Sequence, residues 1–232
     1  MLAGGNMGPV ERIGGRVRRV SGAWSPSVHR LLRHCRAAGL TGVPEVLELT
    51  DGHELLSFLP GDVPAYPMPK WVWTDEALTS SAQMLRQFHD STAGCDRNGP
   101  WRSAAHEPTE VICHNDFAPY NLVYRSGRAV GIIDFDYASP GPRLWDLAYL
   151  AYRIVPMSTD TADGFTAAER RDRLSAVLHA YGTSASEADL QATVVLRLHE
   201  LATFSESMAT TLDNPDLLDH AAQYRTDAAA LT

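Results

Sequence analysis

Cysteine is scarce in this 232-residue sequence, and long apolar runs are missing from it. Cys35, Cys95 and Cys113 have neither metal-site spacing nor the even number that disulfide pairing needs, which indicates a reducing compartment. No apolar run approaches the roughly 20 residues of a membrane span, and the first residues lack the apolar core of a signal peptide. We therefore expect a cytoplasmic protein without a membrane partner.

A basic excess is missing as well. Lys and Arg number 20 against 28 Asp and Glu, which leaves a formal net charge of −8. Nucleic-acid-binding proteins usually present a basic face, so this balance argues against a nucleic-acid partner. The charge is compatible with a cationic ligand, although many acidic proteins simply have acidic surfaces. With 44% hydrophobic residues and no internal repeat, the chain has the composition of an ordinary globular protein.

Residues 1–60 predict a small lobe built from strands and one helix. Gly14 and Gly15 lie between two short segments, 10–13 and 16–20, and this pattern is typical of a β-hairpin. A glycine turn between strands can also bring backbone N–H groups close to a phosphate, and an ordinary hairpin is the alternative.

One helix and two more strands complete this lobe. Ser25 is predicted to cap the helix, with Pro26 in its first turn and Gly39 at its end. Strands are predicted at 43–49 and 54–59. A cluster of four prolines then marks a boundary between lobes: Pro60, Pro64, Pro67 and Pro69.

Residues 61–232 predict a second lobe that is mainly helical. A capped helix begins at Thr74, and the last eighty residues carry apolar stripes at helical spacing. Between these helices the predicted elements are strands at 111–113, 122–124 and 129–134, a rigid loop at 139–142 and a helix at 146–152.

Two motifs in this lobe carry the chemistry. The stretch from His114 to Asn121 has the form H-x-D-x-x-x-x-N, and an apolar strand ending in D-F-D follows at 134–136. Asp116, Asn121 and Asp134 thus stand at the ends of short apolar runs. Phosphoryl transfer needs one carboxylate to orient a hydroxyl, and an amide and a carboxylate to hold Mg²⁺. Taken singly, each residue is an ordinary turn or cap residue, so the indication comes from the spacing.

The motifs resemble those of the aminoglycoside phosphotransferase and choline-kinase-like family, which shares the protein-kinase fold. The matching segments are HNDFAPYNLVY, GIIDFDYASPG and PRLWDLAYLAY, with weaker matches at LAGGN, VPEVLEL and SFLPGD. The sequences of the first two segments are similar to those of the short family members of the trifolitoxin-immunity type. The resemblance implies an α+β class and a two-lobed fold, with a reduced nucleotide-binding β lobe at 1–60 and a catalytic and substrate lobe at 61–232.

The resemblance also implies roles for the motif residues. Asp116 would orient the proton of the substrate hydroxyl, while Asn121 and Asp134 would hold Mg²⁺ on the phosphates of ATP or GTP. His114 would shape the loop without reacting. Two further carboxylates have implied places: Asp146 would anchor the loop through backbone N–H groups, and Asp136 would approach the metal or the substrate.

The nucleotide side departs from the family pattern. Gly4 and Gly5 remain of the glycine-rich hairpin, and Arg18 or Arg19 stands where a phosphate-binding lysine is expected. Arginine and lysine are not equivalent phosphate ligands. No acid occurs from Ser25 to Gly39, so the sequence predicts that the usual ion pair of a basic residue with a glutamate is absent. The adenine is expected to meet backbone groups near the lobe junction, at Ser57 and Leu59.

Three functions compete at this point. The first is an O-phosphotransferase acting on a small hydroxyl compound, and the second is a nucleotide-binding protein with little turnover, serving as an immunity or self-resistance factor. A metal-dependent hydrolase is the third, although such enzymes usually gather more ligands, often histidines. A cationic acceptor would be served by the acids of the C-terminal half: Glu200, Glu206, Asp213 and Asp216.

Overall fold

An antiparallel sheet with strand order β1-β2-β4-β3 opens the computed structural model, which describes residues 10–50, 52–159 and 164–232. Its strands are β1 Glu11–Ile13, β2 Arg16–Val20, β3 Val46–Thr50 and β4 His53–Ser57. The predicted hairpin is confirmed. Gly14 at its turn has a φ of +61°, a conformation that residues with side chains rarely adopt.

Helix α1, Ser25–Ala37, follows this hairpin and buries the predicted apolar face of Val28, Leu31, Leu32 and Cys35. The predicted cap is wrong by one residue. Trp24 occupies the N-cap position and makes no side-chain cap. The hydroxyl of Ser25 instead accepts the backbone N–H of Gly22 at 3.0 Å, which closes the turn that leads into the helix.

The remaining chain is mainly helical, and the α+β class predicted from the sequence is confirmed. Its helices are α2 Asp75–Ser91, α3 Arg143–Ile154, α4 Ala167–Tyr181, α5 Glu187–Leu212 and α6 Asp216–Ala230. Its strands are β5 Val111–Cys113, β6 Leu122–Arg125, β7 Arg128–Ile132 and β8 Ser139–Gly141. Among the described residues, none of these helices combines the length and apolarity that crossing a membrane requires.

The segment predicted as a rigid loop at 139–142 forms strand β8. It pairs antiparallel with β5, and Pro140 stands opposite Ile112. A proline is tolerated here because the pair has only two strands, so an edge remains on which no N–H is needed. The register places Val111, at the start of β5, opposite Gly141, the last residue before the segment that leads into α3, and Cys113, just before the motif, opposite Ser139.

Backbone hydrogen bonds connect the first sheet region to the later strands. The carbonyl of Gly42 accepts the N–H of Ile132 at 2.7 Å, and Asp62 and Tyr124 exchange two backbone bonds of 2.8 Å. Gly42 has no room for a side chain, since a Cβ there would lie 2.7 Å from the carbonyl of Val130. These contacts fix β7 against Gly42 and β6 against Asp62.

The core beneath the motifs is centred on Phe88 of α2. Its ring contacts Phe135 with centroids 5.6 Å apart and His114 with centroids 6.5 Å apart, and the side chain is fully buried. The same ring therefore supports the catalytic loop and the D-F-D segment.

Replacing Phe88 with alanine is expected to lower the free energy of unfolding by about 3 to 5 kcal/mol, because it leaves a cavity under both motifs. Urea unfolding followed by circular dichroism measures this change. Phe204→Ala is the matched control, since that ring is 42% exposed, and its effect should stay within about 1 kcal/mol. Equal losses for the two variants would contradict the assigned core.

Candidate active site

The catalytic loop is held from behind by the buried carboxylate of Asp146 on α3. This carboxylate accepts the backbone N–H groups of His114 at 2.6 Å and Asn115 at 2.8 Å. It also accepts a bond of 3.1 Å from Nε2 of His89. Burial alone would raise the pKa of Asp146, but the hydrogen bonds from the His89 ring and from the backbone N–H of His114 outweigh it and the pKa is lowered. Asp146 is therefore a charged anchor for two consecutive amides.

His89 completes this anchor from α2. Burial lowers the pKa of His89, which favours the neutral ring. A neutral ring that donates from Nε2 to Asp146 can accept at Nδ1, where the hydroxyl of Tyr181 lies 2.7 Å away. No sequence pattern indicates this role for His89.

His114 is a cross-link of the loop. Its Nε2 donates to the carbonyl of Ile133 at 2.9 Å, and its Nδ1 accepts the N–H of Asp116 at 3.3 Å. Both ring nitrogens are thus engaged, which leaves neither for proton transfer. Asn115 and Asp134, the residues beside these contacts, have φ values of +63° and +62°. Non-glycine residues in this region occur at functional sites, where the surroundings hold the strained backbone in place.

Asp116 has both carboxylate oxygens placed by neighbours on its own loop. Oδ1 accepts the hydroxyl of Tyr120 at 2.8 Å, and Oδ2 accepts Nδ2 of Asn121 at 2.8 Å. Burial raises the pKa of Asp116, and the charge of Asp134 raises it further, whereas His114 and the bond from Tyr120 lower it. A raised pKa suits a carboxylate that receives a proton during reaction.

A chain of hydroxyl groups continues from Tyr120 into α3. Tyr120 and Tyr149 have hydroxyl oxygens 2.7 Å apart, and Arg153 donates to the Tyr149 oxygen at 3.1 and 3.2 Å. Because arginine only donates, Tyr149 must donate toward Tyr120, and Tyr120 toward Asp116. Sequence reasoning missed this chain. The i, i+4 spacing of Tyr149 and Arg153 on one helix was its only signal.

Asn121 and Asp134 fit a divalent cation. Nδ2 of Asn121 is held by the carbonyl and carboxylate of Asp116, while its Oδ1 has no hydrogen-bond partner among the described residues. The side chain of Asp134 is 43% exposed, and the N–H of Ile133 before it donates to the carbonyl of Asn121 at 3.0 Å. Oxygen donors that are few and partly open suit Mg²⁺, which keeps several waters and substrate oxygens.

Arg19 brings strand β2 to this site. Its Nη1 lies 3.3 Å from Asp134, its Nη2 lies 2.6 Å from Asp136, and its Nε donates to Glu54. The predicted absence of an ion pair between a basic residue and a glutamate is therefore wrong. The glutamate stands on β4, directly opposite Arg19 in the sheet register, instead of on helix α1.

Helix α1 contributes His29 to this group in place of the expected acid. Nε2 of His29 contacts the second carboxylate oxygen of Glu54, and both side chains are buried. One signal could have revealed Glu54. It falls in phase with Leu56 on the buried face of its strand, where an acid needs a partner.

The other predicted nucleotide residues lie apart from this group. Arg18 is exposed on the face of β2 opposite Arg19. The N–H of Ser57 donates to the carbonyl of Glu45, and the Ser57 hydroxyl accepts the N–H of Glu45. The N–H of Phe58 donates to the carbonyl of Gly15. The side chain of Leu59 lies close to Gly131, where an added Cβ would be 3.0 Å from Leu59 Cδ1. Gly4 and Gly5 fall outside the described residues.

The acids expected to serve a cationic acceptor have other tasks. Glu200 pairs with Arg197 and His106, and Glu206 pairs with Arg225. Asp213 and Asp216 form the end of α5 and the start of α6. Arg197, the partner of Glu200, also donates to the carbonyl of Asn115, the residue before Asp116.

Comparisons with known proteins agree with this geometry. Residues 93–192, which contain both motifs, match the model described as "Phosphotransferase enzyme family". The chain is also 40% identical over 148 residues to the trifolitoxin immunity protein of Rhizobium leguminosarum bv. trifolii. The predicted family resemblance is confirmed. The matched stretch is 60% of this chain and 55% of the relative, so the chain spans just over half of the curated protein it matches.

Solved structures share the fold of this chain. A choline/ethanolamine kinase family protein from Mesorhizobium loti has a TM-score of 0.67 at 19% identity, covering 98% of this chain and 86% of its own. An amicoumacin kinase in complex with AMP-PNP, Ca²⁺ and Ami has a TM-score of 0.68 at 13% identity, covering 94% and 82%. Similarity at such low identity establishes the kinase-like architecture alone.

The anchor predicts a pH-dependent loss of stability. Asp146→Asn is expected to lower the free energy of unfolding by about 3 to 5 kcal/mol at pH 7, because it removes a buried charge from two amides and His89. A carboxylate whose pKa is lowered on folding stabilises the protein above its unfolded pKa of about 3.9 and loses this effect as the pH falls further.

The difference between wild type and Asp146→Asn should therefore shrink below about pH 4, as measured by urea unfolding at pH 7 and pH 3.5. Asp219→Asn, on the exposed face of α6, is the control and should change little at either pH. A difference that is independent of pH would contradict the charged anchor.

Proposed function

We propose that this protein is a small-molecule O-phosphotransferase that moves the γ-phosphate of ATP or GTP to a hydroxyl group. The observation that carries the proposal is the hydrogen-bonded network that links Asp116, Asn121, Asp134 and Arg19. Asn121 bonds to Asp116, the backbone before Asp134 bonds to Asn121, and Arg19 bonds to Asp134. The nucleotide lobe is proposed at 1–60 and the catalytic and substrate lobe at 61–232.

Each residue of this group has a task in the proposed reaction. Asp116 accepts the proton of the acceptor hydroxyl as its oxygen attacks the γ-phosphorus and the bond to the β,γ-bridging oxygen breaks, which releases ADP or GDP. Tyr120 and Asn121 keep the two oxygens of Asp116 in place. Arg19 neutralises phosphate charge from the β2 side. His114 and Asp146 hold the loop so that these groups do not need to reorganise during transfer.

Asn121 and Asp134 would hold the divalent cation, with Asp136 beside them. When bound, Mg²⁺ supplies charge neutralisation and orientation for the nucleotide phosphates. The amicoumacin kinase with AMP-PNP and Ca²⁺ supports a nucleotide and a divalent cation as ligands of this fold. The pKa of Asp136 is raised, chiefly by burial, and the charge of Arg19 offsets part of this effect.

A second function has its own supporting observation. The relative that is 40% identical is an immunity protein, and this favours a role in resistance to a small toxic compound. Such a role can be served by phosphorylating the compound or by binding nucleotide with little turnover. The two are distinguished by turnover, so they share one experiment.

Asp116→Asn is expected to lower the rate of phosphate transfer by about 10²- to 10⁴-fold, because the hydroxyl loses its proton acceptor. The affinity for Mg-ATP should change little, since Asp116 does not contact the phosphates in this scheme. Calorimetry measures binding, and ³²P transfer from labelled ATP across a panel of aminoglycosides, peptides and other hydroxyl compounds measures turnover.

Asp219→Asn serves as the charge-matched control and should behave as wild type. Wild-type protein that fails to bind Mg-ATP at millimolar concentration would exclude the phosphotransferase function. Tight binding without transfer to any member of the panel would favour the second function.

A further inference from the structure

Arg19 is held by three carboxylates that differ in exposure. Its Nε donates to Glu54, its Nη2 to Asp136 at 2.6 Å, and its Nη1 lies 3.3 Å from Asp134. The Glu54 side chain is buried, whereas that of Asp134 is 43% exposed and makes the longest of the three contacts. The guanidinium therefore has one protected partner behind it and a more open partner in front.

Glu54 is committed to holding Arg19. Its carboxylate is 1% exposed, and each oxygen faces one basic side chain, Arg19 on β2 and His29 on α1. Burial alone would raise the pKa of Glu54, but the hydrogen bond from His29 and the charge of Arg19 outweigh burial and lower it. A buried carboxylate in a triad of this kind is fixed in orientation, because losing either partner would leave one buried carboxylate oxygen without its hydrogen-bond donor.

We propose that Glu54 is the positioning residue for Arg19, with His29 fixing Glu54, and that Arg19 exchanges its contact with Asp134 for a nucleotide phosphate. The inference rests on the proposed function and deepens it. The acidic partner of Arg19 thus lies on strand β4 instead of on helix α1. Lys70 cannot take the place of Arg19, because this single lysine of the chain lies exposed before α2.

The exchange follows from the charges at Asp134. A guanidinium and a divalent cation that share one carboxylate repel each other, so each weakens the binding of the other. A nucleotide phosphate removes this conflict, because it gives Arg19 a new anionic partner while Glu54 keeps its position. Metal and nucleotide are thus expected to bind together more strongly than the metal binds alone.

Calorimetry with Mg-ATP tests the positioning role. Arg19→Gln and Glu54→Gln are each expected to weaken binding by about 10- to 100-fold, the range for loss of a charge-assisted hydrogen bond. The double variant should bind about as weakly as Arg19→Gln alone, because Glu54 acts through Arg19. Arg16→Gln, on the exposed face of the same strand, is the control and should stay within about 3-fold of wild type.

Binding of Mn²⁺ without nucleotide, measured by electron paramagnetic resonance, gives a second readout of opposite sign. Arg19→Gln should bind Mn²⁺ more tightly than wild type, because the guanidinium no longer shares Asp134. A variant that only damaged the fold would weaken both ligands. If Glu54→Gln does not fold, Glu54→Asp replaces it, since the shorter carboxylate keeps the charge but cannot reach both partners.

Two results would overturn the inference while leaving the phosphotransferase function intact. One is Mg-ATP affinity of the Glu54 variant equal to that of wild type, and the other is losses for Arg19 and Glu54 that simply add. Wild-type protein that does not bind Mg-ATP would remove the proposed function and this inference together.

Discussion

The buried carboxylate of Asp146 is the contact on which the site depends. It holds two consecutive amides of the catalytic loop, at His114 and Asn115, and is itself held by His89. Without a charged acceptor at this depth, these amides would be buried with no partner. The positive φ of Asn115 and the direction of Asp116 both follow from this fixed point.

From that anchor, the site is built outward by short links. His114 connects the loop to the backbone before Asp134, and Asn121 connects Asp116 to the place where a metal would sit. The Tyr120 and Tyr149 hydroxyls extend the support of Asp116 into α3. The chain thus fixes its candidate base and candidate metal ligands with one network, and the antiparallel pair of β6 and β7 connects the two motifs.

Arg19 joins this network from the opposite side. Its contacts with Asp134 and Asp136 connect strand β2 to the D-F-D segment, and Glu54 secures it from within the sheet. The chain has a single lysine, so arginine supplies the positive charge here. The planar guanidinium suits the place, since it can hold Glu54 with one nitrogen and offer others to an anion.

Local patterns revealed the catalytic side of the site and most of the elements. The motif of Asp116 and Asn121 is contained in eight residues, and the hairpin at Gly14 is marked by its turn. The partner of Arg19 could not be read in this way, because it depends on how β2 and β4 align in the sheet. Helix α1 has no acid, and the glutamate that pairs with Arg19 lies 35 positions away from it in sequence.

Contacts that local patterns do not reveal account for the smaller differences between the predicted and observed elements. Ser25 has the right chemistry for a cap, but its hydroxyl closes a turn with Gly22. Pro140 has the composition of a loop, yet it pairs across a two-stranded edge. The α5 acids Glu200 and Glu206 form ion pairs with Arg197, His106 and Arg225, partners that local sequence patterns do not reveal. In each case the contact that decides the structure is made with a residue that the local pattern does not single out.

The most direct measurement is a crystal structure of the protein with Mg²⁺ and a non-hydrolysable ATP analogue. The account predicts a metal ion ligated by Asn121 and Asp134, and a phosphate oxygen on Arg19 while Arg19 still contacts Glu54. Nucleotide phosphates bound away from these residues, or a metal held elsewhere in the cleft, would contradict it.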